Sequence, residues 1–159
     1  PADRIVFNEA FREACASNQC GRYGTSWSCP PGVGAPADLI RRARAFRNGL
    51  VLQTVWPLAD AFDFDGMMAA AAKHNALFRQ AVARVAPALS SGETLALSAG
   101  ACSACETCTY PDGKPCRQPG RVLASLEAYC IDAARLIASA GLSYHNGPDT
   151  VSYVGLLLF

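Results

Sequence analysis

Regular hydrophobic spacing runs along most of this chain and stops twice. The segment "DLIRRARAF", 38–46, has the spacing of a short helix, with Asp38 placed to cap it. "GLVLQTVWPL", 49–58, is rich in β-branched and large apolar residues and predicts a strand. Met68, Ala71, Asn75, Phe78, Val82 and Val85 then recur at intervals of three and four, which predicts an amphipathic helix over 65–86 ended by Pro87. "ETLALSA", 93–99, predicts a second strand running straight into Gly100. Beyond residue 119, Val122, Leu126, Tyr129, Ala133 and Ile137 form another stripe, which predicts a second long helix over about 119–140 with Gly141 as its C-cap. "TVSYVGLLLF", 150–159, predicts a last strand. Strand, helix, strand, helix, strand is the order of an α/β domain. The expectation is a single domain over 1–159, with a small sheet of about three strands and two long helices.

The two interruptions run from Cys15 to about Pro36 and from Gly100 to Gly120. Both are dense in turn formers ("CGRYG", "CPPGVGAP", "YPDGKPC"), so their backbones should be irregular. Irregular segments of this length are usually functional. Seven of the eight cysteines fall in them: Cys15, Cys20 and Cys29 in the first, and Cys102, Cys105, Cys108 and Cys116 in the second.

Composition narrows what those thiols do. Apolar residues make up 51% of the 159-residue chain and charged residues 17%, which suits a globular protein with a real core. A formal charge of +1 gives no reason to expect nucleic acid or an anionic membrane as partner. No apolar run is long enough to span a bilayer, and "PADRIVFNEAFREAC" lacks the basic-then-apolar plan of a signal peptide. The expectation is therefore a cytoplasmic protein. Cysteine is about 5% of the chain, below the roughly 8–10% that marks a disulfide scaffold. In a reducing compartment, clustered thiols point to metal or catalysis ahead of disulfides.

The second segment reads C-x2-C-x2-C-x7-C. A cubic four-iron cluster needs one thiolate per iron, and two-residue gaps let a chain wrap a cube while a more distant cysteine closes it. Bacterial ferredoxins use a similar run, although here the last gap is longer and proline precedes Cys116. Zinc is the rival for the same four residues. Structural zinc sites are tetrahedral and commonly use paired C-x2-C knuckles, which three cysteines at successive two-residue gaps suit less well. Spacing favours a [4Fe–4S] cluster over zinc. The first segment, Cys15-x4-Cys20-x8-Cys29, offers three thiols, which would leave one metal position open. Spacing does not decide between one shared site and two. Thioredoxin-like exchange is disfavoured, because no isolated C-x-x-C opens a helix after a strand.

Other residues are secondary candidates. Arg22, Lys114, Arg117 and Arg121 lie around the cysteine segments, where cations would raise the potential of an anionic cluster; Arg117 is the chosen tuning residue. Tyr23 and Trp27 are expected to shield the first segment from water. Cys130 falls within the expected second long helix and reads as a small hydrophobe. His74 reads as a surface or core-edge residue and His145 as a loop residue outside the ligand set. No nucleotide-binding or serine-hydrolase motif is present.

The patterns "C-x4-C-x2-YG-x2-W-x-CPP" and "C-x2-C-x2-C…PCR-x-P…S-LEAY-x-ID", with the ending "VSYVGLLLF", resemble the uncharacterised family called domain of unknown function 2284, described as predicted metal-binding proteins. The resemblance covers Cys15 to Phe159. It implies metal binding by Cys15, Cys20, Cys29, Cys102, Cys105, Cys108 and Cys116, with Glu127 and Tyr129 inside the matching motif. In that pattern glycine usually stands where this chain has Cys130, which leaves Cys130 outside the ligand set. The expected function is an iron–sulfur redox protein with one or two clusters, serving a redox partner protein or a small-molecule substrate. The alternative is a zinc-stabilised binding module without enzyme activity.

Overall fold

A computed structural model describes residues 1–89 and 93–159. In chain order the elements are α1 (Ala10–Ala16), α2 (Pro36–Arg44), β1 (Gly49–Pro57), α3 (Phe64–Val85), β2 (Leu95–Ser98), β3 (Ala124–Ser125), α4 (Ala133–Ser139) and β4 (Thr150–Leu158). The four strands form one sheet in the order β1-β4-β2-β3. β4 pairs antiparallel with β1 along its whole length, from Gly49 opposite Leu158 to Pro57 opposite Thr150. Its other edge pairs antiparallel with β2, and β2 pairs parallel with β3.

The sheet is covered on both faces. On one, Leu97, Leu156 and Leu158 pack with Leu39 and Ala43 of α2, Leu136 and Ile137 of α4, and Leu126 and Ile131 of the connecting turns. On the other, Leu157 packs with Phe78 of α3 and with Leu123. Alternate residues of β4 thus enter different core layers, which is why its last five positions are all apolar and all buried. Gly155 makes the α3 contact close: a Cβ there would sit 2.5 Å from the Phe78 ring.

The strand positions follow the hydrophobic pattern, and the long helix starts and stops within one residue of the expected bounds. Asp63 caps it, accepting from Gly66 N at 2.8 Å and Ala59 N at 3.0 Å; these bonds hold its carboxyl below the usual range. The expected stripe is buried or half-buried from Ala71 onward and fails at Met68. Met68 is 61% exposed, and Ala70 and His74 are buried in its place. Similarly, α2 begins with Pro36 after Ala35, and Asp38 lies inside its first turn, paired with Arg41 at 2.6 Å.

The second long helix does not form, and the sheet has four strands where about three were expected. Residues 119–140 are a 3-10 turn, the short strand β3, a second 3-10 turn at Glu127–Tyr129, and α4. The segment breaks at Cys130, whose φ of 60° is left-handed, and α4 restarts on the Asp132 cap. Leu123, Ala124, Leu126 and the run 128–131 are buried together, so apolar residues occur at every spacing and a helical period fits without a helix. Gly141 does end α4. Gly141 N donates to Ala138 O and Leu142 N to Ile137 O, the paired bonds of a Schellman motif.

His74 is a core residue, contrary to expectation. Nδ1 lies 2.8 Å from Thr54 Oγ1 of β1, the ring stacks parallel to Phe78, and Nε2 faces the backbone of Val154 without a well-formed hydrogen bond. Burial holds the imidazole below its ordinary value of about 6.5. Below that value the unfolded chain takes up a proton that the folded chain resists, so stability falls as pH drops from about 6.5 toward the folded value. Asp63 contributes a separate loss lower down, as pH falls through the carboxylate range. In thermal melts of the parent protein, Tm should decline from pH 7.5 to 5.5. In His74→Phe that upper limb should flatten, while neutral-pH stability drops by about 1–2 kcal/mol with the Thr54 bond.

Candidate metal centre

The second cysteine segment has a defined place in the topology. β2 and β3 are parallel, and parallel neighbours need a crossover, commonly a helix. Here the crossover is the cysteine segment itself. Its entry is pinned to α3, where Ser98 Oγ donates to Asn75 Oδ1 at 2.6 Å and Asn75 Nδ2 donates to Ala99 O at 3.3 Å. Its exit is pinned by the pairing of Ala124 with Leu97.

Inside that crossover, Gln118 is the hub. Its backbone N–H points at Cys116 Sγ (3.4 Å), and its Nε2 points at Cys105 Sγ (3.4 Å) and Ala104 O (3.1 Å). Its Oε1 accepts from Arg121 Nη1 at 2.9 Å. Cys102 Sγ lies 3.9 Å from Arg79 Nη2 of α3, and Arg79 Nη1 also donates to Arg121 O at 2.7 Å. Arg79 and Gln118 escaped the sequence reading. Arg79 sits 23 residues from the thiol it faces, and Gln118 carries no charge to draw notice; its position two residues after Cys116 was the available signal.

Arg117 donates to the carbonyl of Thr107, bracing the loop between Cys105 and Cys108. Lys114 pairs with Asp112 at 3.6 Å, and Arg22 is exposed.

The first segment leads from α1 to α2 and packs on the second. Trp27 Nε1 donates to Lys114 O at 3.1 Å, and the Trp27 ring meets Tyr110 edge-on with centroids 4.9 Å apart. Ser28 Oγ accepts from Cys102 N at 2.9 Å and lies 4.0 Å from Cys29 Sγ. Gly32 completes the contact, since a Cβ there would sit 2.6 Å from the Tyr110 ring. Trp27 is therefore a clasp between the loops, whereas Tyr23 is exposed.

At the far side of this loop, Cys15 lies in the last turn of α1. Burial pushes its thiol up, Arg12 pulls it back, and Cys20, Glu127 and Cys29 push it further up. The three cysteines and Glu127 are thus electrostatic neighbours. Arg12 also fastens α1, donating at 2.9 Å to both Ala128 O and Gly34 O. Cys130 is fully buried in its left-handed conformation, its thiol pushed up by burial and opposed by Arg12. A φ of 60° is a conformation that glycine adopts at least cost. Tyr129 points elsewhere, into a cleft shared with Trp27, and His145 is exposed with its ring edge-on to Tyr144.

The donor set suits a thiophilic metal. All eight cysteines are free, and N–H donors face the sulfurs of Cys105 and Cys116, as they do around metal-bound thiolates. As they stand, no three Cys, His, Asp or Glu side chains among the described residues are grouped closely enough to hold an ion.

No helix of the described residues is long and apolar enough to cross a membrane. No curated protein and no solved structure matches the chain. The model of the family described as predicted metal-binding protein, DUF2284, matches residues 1–159, and the chain belongs to that family.

Proposed function

We propose that this protein is an iron–sulfur redox protein of the cytoplasm. Cys102, Cys105, Cys108 and Cys116 would hold one [4Fe–4S] cluster. Cys15, Cys20 and Cys29 would hold a second site with one position left for a non-cysteine ligand or a small-molecule substrate. The observation that carries the reading is the C-x2-C-x2-C-x7-C spacing together with the Gln118 donors aimed at Cys105 and Cys116. When bound, such a cluster supplies one-electron transfer to a redox partner protein or substrate.

The chain's own residues have definable tasks. Gln118 lowers the charge density on two thiolates by hydrogen bonding, and Arg79 places a cation beside a third; both effects raise a reduction potential. Ser28 and Trp27 hold the two loops against each other. Arg12 offsets the mutual repulsion of thiolates at the first segment.

Protein purified without oxygen should be brown, with broad visible absorbance and acid-labile sulfide. About four irons per chain would mean one cluster and about eight would mean two, by the ligand count of cubic clusters. A colourless protein carrying zinc would sink the redox reading and leave a zinc-stabilised binding module. Cys105→Ala should lose the iron of the second segment, whereas Cys130→Ala should retain full iron.

The clasp makes its own prediction. Gly32→Ala should cost about 1–3 kcal/mol through overpacking against Tyr110. It should also speed metal release to a chelator severalfold at the second segment, although the substitution lies in the first. Unchanged release would mean that the loops bind metal independently.

A further inference from the structure

A cleft of about 590 Å³ opens between the second half of α3, the strands β2 and β3, and the 3-10 turn at Pro119–Arg121. That volume lies in the range of small-molecule sites, roughly 300–1,000 Å³. Its walls are of two kinds. Val82, Ala83 and Val122 are among its apolar lining residues, while Arg42, Arg79 and Arg121 line it from α2, α3 and the turn. No acidic side chain is among the described residues lining it. Glu93 stands near, 3.9 Å from Arg42, with both side chains largely exposed.

Two of the cations are held in place by the fold. Arg79 is fixed by Arg121 O and Arg121 by Gln118 Oε1. The third, Arg42, lies against the buried Tyr129 hydroxyl. Two held guanidinium groups and a third, Arg42, within 3.9 Å of the exposed Glu93, meet no acidic side chain among the described residues lining the cleft, and planar guanidinium groups suit carboxylate or phosphate oxygens.

We propose that this cleft binds a small organic anion, an apolar body carrying one carboxylate or phosphate, with the head group held by Arg42, Arg79 and Arg121. The assignment does not depend on which metal the cysteine loops take. Arg79 Nη2 lies 3.9 Å from Cys102 Sγ, so the bound anion would sit next to the second cysteine segment.

The test uses two fluorescent probes that differ by a sulfonate: anilinonaphthalenesulfonate and its neutral parent, N-phenylnaphthylamine. The sulfonate probe should bind saturably, one per chain, at least about tenfold more tightly than the neutral one, the loss expected for a missing charged hydrogen-bonding group. Arg42→Gln and Arg121→Gln should each weaken it by roughly tenfold, with partial rescue in Arg42→Lys. Added salt should weaken the sulfonate probe and spare the neutral one, a readout that needs no variant. Displacement by benzoate or by phenyl phosphate then identifies the head group. Equal binding of the two probes, glutamine variants that fold and bind as the parent does, or displacement by neither competitor would overturn the assignment.

Discussion

The pairing of β4 with β1 on one side and β2 on the other is the constraint to which everything else is referred. Its nine residues are hydrogen-bonded along one edge throughout, and its last five are buried on both faces. α3 lies over one face through Phe78 and Gly155, and α2 and α4 close the other. Because β2 is held by β4, the chain that leaves β2 at Ser98 starts the second cysteine segment from a fixed point. Because β3 rejoins β2, the same segment also ends at one. A crossover usually filled by a helix is filled here by four cysteines.

The two cysteine segments meet through a few directed contacts between loops that otherwise lack regular structure. Trp27 and Gly32 pack on Tyr110, and Ser28 bridges toward Cys102. Each loop has a rigid neighbour supplying positive charge: α1 supplies Arg12 to the first and α3 supplies Arg79 to the second. A thiol-rich surface would repel itself once ionised, and these two guanidinium groups oppose that repulsion. The polar frame is therefore suited to ionised thiols, and the same Arg79 joins the second cysteine segment to the arginine-lined cleft.

Much of this was legible in one dimension. β1, β2, β4 and α3 were marked by composition and period, because each buries a continuous face against the sheet. The seven loop cysteines stood out by spacing alone. The stretch 123–131 was misread as helix because every residue in it is buried or half-buried, and periodicity carries information only where one side faces water. His74 was misjudged for a related reason: a polar ring on an apolar face is accepted in the core once Thr54 supplies a partner, and Thr54 belongs to another strand.

The sequence by itself determined the element order over most of the chain, the two irregular segments, the family, and the thiol set from which a metal would draw. Those features depend on local periodicity and spacing, which a linear chain records. Only the tertiary structure decided that the segments touch, that Gln118 and Arg79 face the sulfurs, that Cys130 occupies a left-handed turn, and that three arginines from distant positions converge on one cleft. Each of these depends on through-space distances between residues brought together by sheet pairing, and no spacing along the chain encodes them.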